Sequence, residues 1–212
     1  MDGTLIGCSS ERTFFLRLLR EGIVGPRDAA RWLARAALEC RTGMDAAVRG
    51  NRAYLAGKPA ADIAARAADH ARNVLRAHIP DAAWEAVRAH QKRGEPVFLV
   101  SGSLDILVAP LAAIVGADGY RASTLAIDDD LLTGRLDGLH PVGEGKVEVG
   151  VSLAAGYGFS LEASAAYGDR ISDARLMARV AHPVAVSPRR ALARHARGEG
   201  WPIADWHGDG RT

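Results

Sequence analysis

Lysine is nearly missing from this chain: three of its 27 basic residues are lysines and the rest are arginines. Cysteine is almost as scarce, and Cys8 and Cys40 lie outside any C-x-x-C spacing, which excludes a zinc ribbon and a disulfide framework and makes a reducing cytoplasm the simplest setting. Aromatic residues make up 6%. No apolar run approaches the roughly 18 residues a spanning helix needs, and no basic start leads into a signal-like segment, so neither a membrane span nor export is expected. Charge of one sign is also missing. A net charge of +2, with arginines dispersed among alanines, is not the footprint of a nucleic-acid binder.

What is present is an ordinary globular composition, 48% hydrophobic and 25% charged over 212 residues. That length suits one core plus a small accessory domain. From Ser9 to about Gly94 the pattern is helical. "SSERTFFLRLLREG" sets Phe14, Phe15, Leu18 and Leu19 on one face, Pro26 opens a second helix, and Ile63, Ala67, Ala71, Val74, Leu75 and His78 form a stripe ahead of Pro80. Beyond Gly94, short apolar runs alternate with helical stretches: "PVFLVSGS", "GADGYRAST", "ASAAYGD", "HPVAVSP" and "WPIADW" read as strands. That alternation predicts an α/β fold with a mostly parallel sheet. "LAIDDDLLTGRLDG" reads as a separate antiparallel hairpin.

In such a sheet, ligands bind beyond the carboxyl ends of the strands. "VFLV" runs into Ser101-Gly102-Ser103, a small-residue turn whose backbone N–H groups and Ser101 hydroxyl suit a phosphate; Ser103 reads equally well as the N-cap of a helix starting at Leu104. "SAAY" runs into Gly168-Asp169, with Asp173 four residues on. Two converging carboxylates repel unless a cation lies between them, and few hard oxygens with open water positions suit Mg²⁺, although an acidic helix start explains the same pair. Lys146, in "GEGKVE" at a helix start, stands out in a chain that otherwise writes its cations as arginine, and a compact point charge suits a phosphoryl oxygen. The stretch is no P-loop: His140 stands five before Gly145 where glycine is required, and Val147 follows the lysine. The seven histidines show no metal spacing and read as surface or half-buried. Glu144 and Asp128 to Asp130 read as solvated.

Taken in order, Asp2-Gly3-Thr4, Ser101, Lys146, and Asp169 with Asp173 resemble the four motifs of the haloacid-dehalogenase-like superfamily. The closest likeness is to its phosphoserine-phosphatase-like branch, in which a helical cap lies between the first and second motifs. The resemblance implies a Rossmann-like hydrolase core over 1–10 and 80–212 with a helical cap over 11–79. It further implies Mg²⁺-dependent hydrolysis of a small phosphorylated metabolite through an aspartyl-phosphate. In that scheme Asp2 is the second acid of D-x-D-G-T, protonating the leaving alcohol, activating water and lending its carbonyl to the metal. Ser101, Gly102 and Lys146 hold the phosphoryl oxygens, Asp169 ligates Mg²⁺ and Asp173 supports it.

The scheme's nucleophile lies two residues before Asp2, a position this sequence does not contain; Met1 occupies the x. The resemblance therefore implies a misplaced start and an upstream central strand ending in Asp, whose loss bares the edges of two neighbours. The alternative is a catalytically inactive relic that binds a phosphorylated ligand or a partner. The branch's cap-side Glu, seven residues after the second Asp, is matched by Ser9, with Glu11 two further on, so phosphoserine is not the expected substrate.

Overall fold

The computed structural model describes residues 1–41 and 51–208. The chain opens in a tight turn: the amides of Thr4, Leu5 and Ile6 all donate to the Met1 carbonyl, at 3.1, 2.8 and 3.2 Å, and Gly3 sits at φ +80°. A φ in that region is open to glycine at no steric cost.

The helical part follows as α1 (Ser10–Arg20), α2 (Pro26–Arg41), α3 (Ala60–Asn73) and α4 (Asp81–Lys92), with single 3₁₀ turns at Ala53–Leu55 and Leu75–His78. Residues 42–50 of the expected cap lie outside the described residues, as does the side chain of Cys40; Cys8 is a free thiol. Phe14 and Leu18 of α1 are fully buried at i, i+4 spacing, whereas Leu19 is exposed, so the buried stripe is narrower than the sequence pattern. The expected stripe continues past α3, where Leu75 of the following 3₁₀ turn is fully buried, and fails only at His78. Ile63, Ala67 and Ala71 are buried, but α3 stops at Asn73 and the tighter 3₁₀ turn rotates His78 out to solvent.

The α/β part runs β1 (Phe98–Leu104), α5 (Asp105–Val115), β2 (Gly119–Asp128), β3 (Leu131–Asp137), α6 (Glu144–Tyr157), β4 (Ala165–Gly168), α7 (Ala174–Met177), β5 (His182–Val186), α8 (Arg190–Gly198) and β6 (Ile203–Ala204). This is the α/β class expected. "GADGYRAST" and the first arm of the hairpin are one ten-residue strand, β2, rather than two: it pairs in parallel with β1 and antiparallel with β3. Asp129 and Asp130, at φ +45° and +64°, make the two-residue turn, a left-handed pair that matches the twist of a hairpin.

The hairpin docks the helical part. Leu132 donates to the Lys58 carbonyl at 2.9 Å and accepts from Gly57 at 2.8 Å, and Ala60 donates to Asp130 at 2.9 Å. Phe14, Leu18 and Ile63 share one buried cluster with Leu99, Leu107 and Leu132, so helices and sheet have a common core. Among the described residues no helix is long and apolar enough to cross a membrane.

The sheet comes in two pieces, β1-β2-β3 and β4-β5-β6, the second parallel throughout. Among the described residues β1 pairs only with β2 and β4 only with β5. A cleft of about 700 Å³ lies between those two strands. Phe98, Leu99 and Val100 line it from β1 and Ala165, Ala166 and Tyr167 from β4, together with Met1 and Lys146.

Candidate active site

The carboxyl ends of β1 and β4 meet the N-terminal turn. Asp2 sits at the start of α1, where its Oδ2 accepts the Ser10 amide and the Ser10 hydroxyl, each at 3.0 Å, and the Ser103 hydroxyl at 3.3 Å. A carboxylate there satisfies an otherwise orphaned helix amide and faces the positive end of the helix dipole. Its other oxygen, Oδ1, is buried with no hydrogen-bond partner in the protein. Ser9, at the N-cap position of α1, makes no side-chain cap bond.

Ser101 is buried at the end of β1, and its Oγ accepts the Ser103 amide at 3.1 Å. Ser103 is not the helix N-cap the sequence allowed. The strand runs on to Leu104, α5 begins at Asp105, and the Ser103 hydroxyl turns to Asp2 instead.

Asp169 follows β4 and is buried; its Oδ1 accepts the Thr4 hydroxyl at 3.4 Å. The Asp169 carboxylate lies so close to the N-terminal turn that a Cβ on Gly3 would stand 2.2 Å from Oδ2. Gly168 permits a similar approach: a Cβ there would meet the Asp173 Cβ at 2.6 Å, which is how the chain folds back at once into the turn that carries Asp173.

Asp173 is fully committed. Its Oδ2 accepts the amides of Asp169 and Arg170, both at 3.1 Å, and its Oδ1 accepts Lys146 Nζ at 2.6 Å. Burial pushes this carboxyl up, but attraction to Lys146 and the hydrogen bonds outweigh it, leaving the group below the ordinary range. The cation paired with Asp173 in the structure is Lys146. Burial, followed by the Lys146 ammonium, holds the Met1 amine down beside them.

Among the described residues no three His, Cys, Asp or Glu side chains form a ready metal set. The donor types nevertheless fit a hard divalent ion: a buried Asp2 Oδ1 with no hydrogen bond and the Asp169 carboxylate pressed against Gly3, all oxygen.

Four contributors were not singled out from sequence. Arg52 grips Glu11, with Nε and NH2 2.7 and 2.9 Å from its carboxylate oxygens; burial nevertheless pushes the Glu11 carboxyl up. His207 places Nε2 2.9 Å from the Thr4 carbonyl. Ser123 and His140 back the Ser101 loop. His70 corrects the reading of the histidines as surface or half-buried: it is fully buried against Phe14, whereas Glu144 and Asp128 to Asp130 are exposed as expected.

Fold and site together define an α/β protein with an acid–hydroxyl–lysine–acid cluster at the carboxyl ends of its strands. The chain belongs to the haloacid dehalogenase-like hydrolase family, whose model matches residues 1–178. It is 30% identical over 213 residues to an "Inhibition of morphological differentiation protein" of Streptomyces azureus, covering 98% of this chain and 76% of that one. It is 35% identical over 121 residues to a probable phosphatase of Mycobacterium tuberculosis, covering 57% of this chain and 42% of that one. The chain therefore spans less than half of the mycobacterial relative. Among solved structures, a protein of unknown function from Bordetella pertussis matches at TM-score 0.82 and 28% identity, covering 97% of this chain and 96% of that one. A phosphoserine phosphatase, described as a phospho-aspartyl intermediate analogue, matches at TM-score 0.64 and 20% identity, covering 97% and 90%; this last likeness concerns the fold alone.

Proposed function

We propose that this protein is a Mg²⁺-dependent phosphomonoester hydrolase that acts through an aspartyl-phosphate on a small phosphorylated metabolite in the cytoplasm. The observation that carries the reading is the convergence of Asp2, Ser101, Lys146 and Asp169, from four separate stretches, around the ends of β1 and β4. Residues 1–10 and 80–212 serve as the hydrolase core and 11–79 as the cap.

The nucleophilic aspartate lies on residues upstream of Met1, on a strand entering the cleft between β1 and β4. Support comes from the facing edges of those strands and from the apolar lining of the cleft between them.

Each residue then has a chemical task. The upstream carboxylate attacks phosphorus and the ester oxygen departs, with Asp2 giving it a proton; Asp2 next takes a proton from the water that displaces the carboxylate. The Ser10 amide and the Ser10 and Ser103 hydroxyls hold the Asp2 carboxylate in place for both transfers. Ser101, the Gly102 turn and Lys146 bind the phosphoryl oxygens, and Asp173 orients Lys146. Asp2 and Asp169 would hold Mg²⁺, with Asp173 in support, and the ion would supply charge neutralisation for the phosphoryl group.

The codons preceding Met1 test the upstream assignment: an apolar run ending in Asp-x is expected, and a stop codon sinks it. The second reading is a catalytically inactive protein that binds a phosphorylated ligand or a partner, and binding of phosphate without turnover by the extended chain would favour it.

A further inference from the structure

Behind the Ser101 turn runs a chain of hydrogen bonds that ends on a residue in another loop. Ser123 of β2 is fully buried, and its hydroxyl lies 2.8 Å from the Gly102 carbonyl and 2.5 Å from His140 Nδ1. The carbonyl can only accept, so the single Ser123 proton goes to Gly102, and Ser123 in turn accepts from His140, whose ring must carry its proton on Nδ1. The Gly102 carbonyl and the Ser103 N–H belong to one planar peptide, so fixing the first fixes the second. That N–H donates to Ser101 Oγ at 3.1 Å. With a lone pair of Ser101 occupied, its own proton is directed elsewhere, and hydrogen bonds in series polarise one another.

We propose that His140 is a positioning residue for phosphate binding. Through Ser123 and the Gly102–Ser103 peptide it aims and polarises the Ser101 hydroxyl toward a phosphoryl oxygen. The inference rests on the proposed role of Ser101 in holding phosphate. Packing couples the same residue to the other phosphate-binding group. A Cβ on Gly102 would meet Val142 Cγ2 at 2.6 Å and His140 Cε1 at 3.3 Å, and a Cβ on Gly145 would stand 2.7 Å from the His140 carbonyl. Residues 140–142 therefore press on the Ser101 turn from one side and on the first turn of α6, next to Lys146, from the other.

The test is titration of inorganic phosphate, with Mg²⁺ present, into the chain and its variants by calorimetry, with thermal melting as a control for folding. His140→Phe and Ser123→Ala are expected to weaken phosphate about five- to tenfold, the worth of one hydrogen bond. His140→Asn, whose side-chain N–H falls near the Nδ1 position, should stay within about twofold of the parent. In a Ser101→Ala background, His140→Phe should change affinity less than about twofold, because coupled residues are not additive. An equal loss with and without Ser101, or no loss at all, overturns the proposal. Nitrogen NMR of the parent gives a readout independent of phosphate: an Nδ1–H tautomer at His140 and a Ser103 amide shift that moves in His140→Phe support the relay, and the opposite tautomer overturns it. If the parent binds no phosphate, the phosphatase reading falls while the NMR result still decides the relay.

Discussion

Lys146 Nζ lies 2.6 Å from Asp173 Oδ1 across 27 residues of sequence, joining the first turn of α6 to the turn after β4. Both side chains are largely buried, at 14% and 9% exposure. Removing one partner leaves the other charge desolvated, which costs about 3–5 kcal/mol for a buried pair, whereas removing both costs less. Lys146→Met is therefore expected to lower unfolding stability by about 3 kcal/mol, and adding Asp173→Asn should recover part of it. Denaturant melts measure this, and a double variant no more stable than the single would refute the pairing as the source of the loss.

Gly3 is required twice, by its φ of +80° and by the Asp169 carboxylate 2.2 Å from where its Cβ would stand. Gly138, at φ +67°, faces open space. Gly3→Ala should cost about 1–3 kcal/mol and weaken phosphate binding as well, whereas Gly138→Ala should cost about 1 kcal/mol from strain and leave phosphate alone. Equal effects on binding would contradict the close packing of Asp169 on the N-terminal turn.

Much of this was legible in the sequence, for a physical reason. Strands that end in polar residues announce a site, so Ser101 and Asp169 are visible from their own short segments, and Lys146 stands out as one of three lysines in an arginine-rich chain. What stayed hidden depends on distant closure. Lys146 meets Asp173 only when α6 packs against α7 and β1; Arg52 reaches Glu11 across 41 residues; His140 matters only because β2 carries Ser123 behind Gly102. Ser103 misled because a serine before a helix is a good cap in isolation, and no local pattern says that the strand continues past it.

His70 gives a pH signature. Thr13 Oγ1 lies within 3.2 Å of the Ser9 and Ser10 carbonyls and 3.0 Å from His70 Nε2, so the ring donates from Nε2 and is neutral, while its Nδ1 is buried without a partner. Burial, then the Arg17 guanidinium, pushes the ring down from 6.5 to about 4. The unfolded chain takes up this proton near pH 6.5, so the contribution is complete above that pH, is lost as pH falls through it, and levels off below about 4. The loss is on the order of 3 kcal/mol. Unfolding free energies between pH 4 and 8 should show this slope in the parent and a flatter one in His70→Gln. Identical slopes would place the effect elsewhere.

Glu11 is held by Arg52 and Ser9 carries a hydroxyl, so neither presents a free carboxylate to a substrate ammonium group. Among small phosphomonoesters assayed with an upstream-extended chain, phosphoserine is expected to rank low in kcat/KM. A clear preference for phosphoserine would show that the Glu11–Arg52 pair opens to receive it.

Hydrolysis of a generic aryl phosphate, with Mg²⁺, by the chain extended through its own upstream codons tests the central claim most directly. The account predicts turnover by the extended chain, a fall of about 10² or more on Asp2→Asn as a general acid–base residue is lost, and no turnover by the chain beginning at Met1. An extended chain that binds phosphate without hydrolysing it, or that hydrolyses equally well with Asn at position 2, would contradict it.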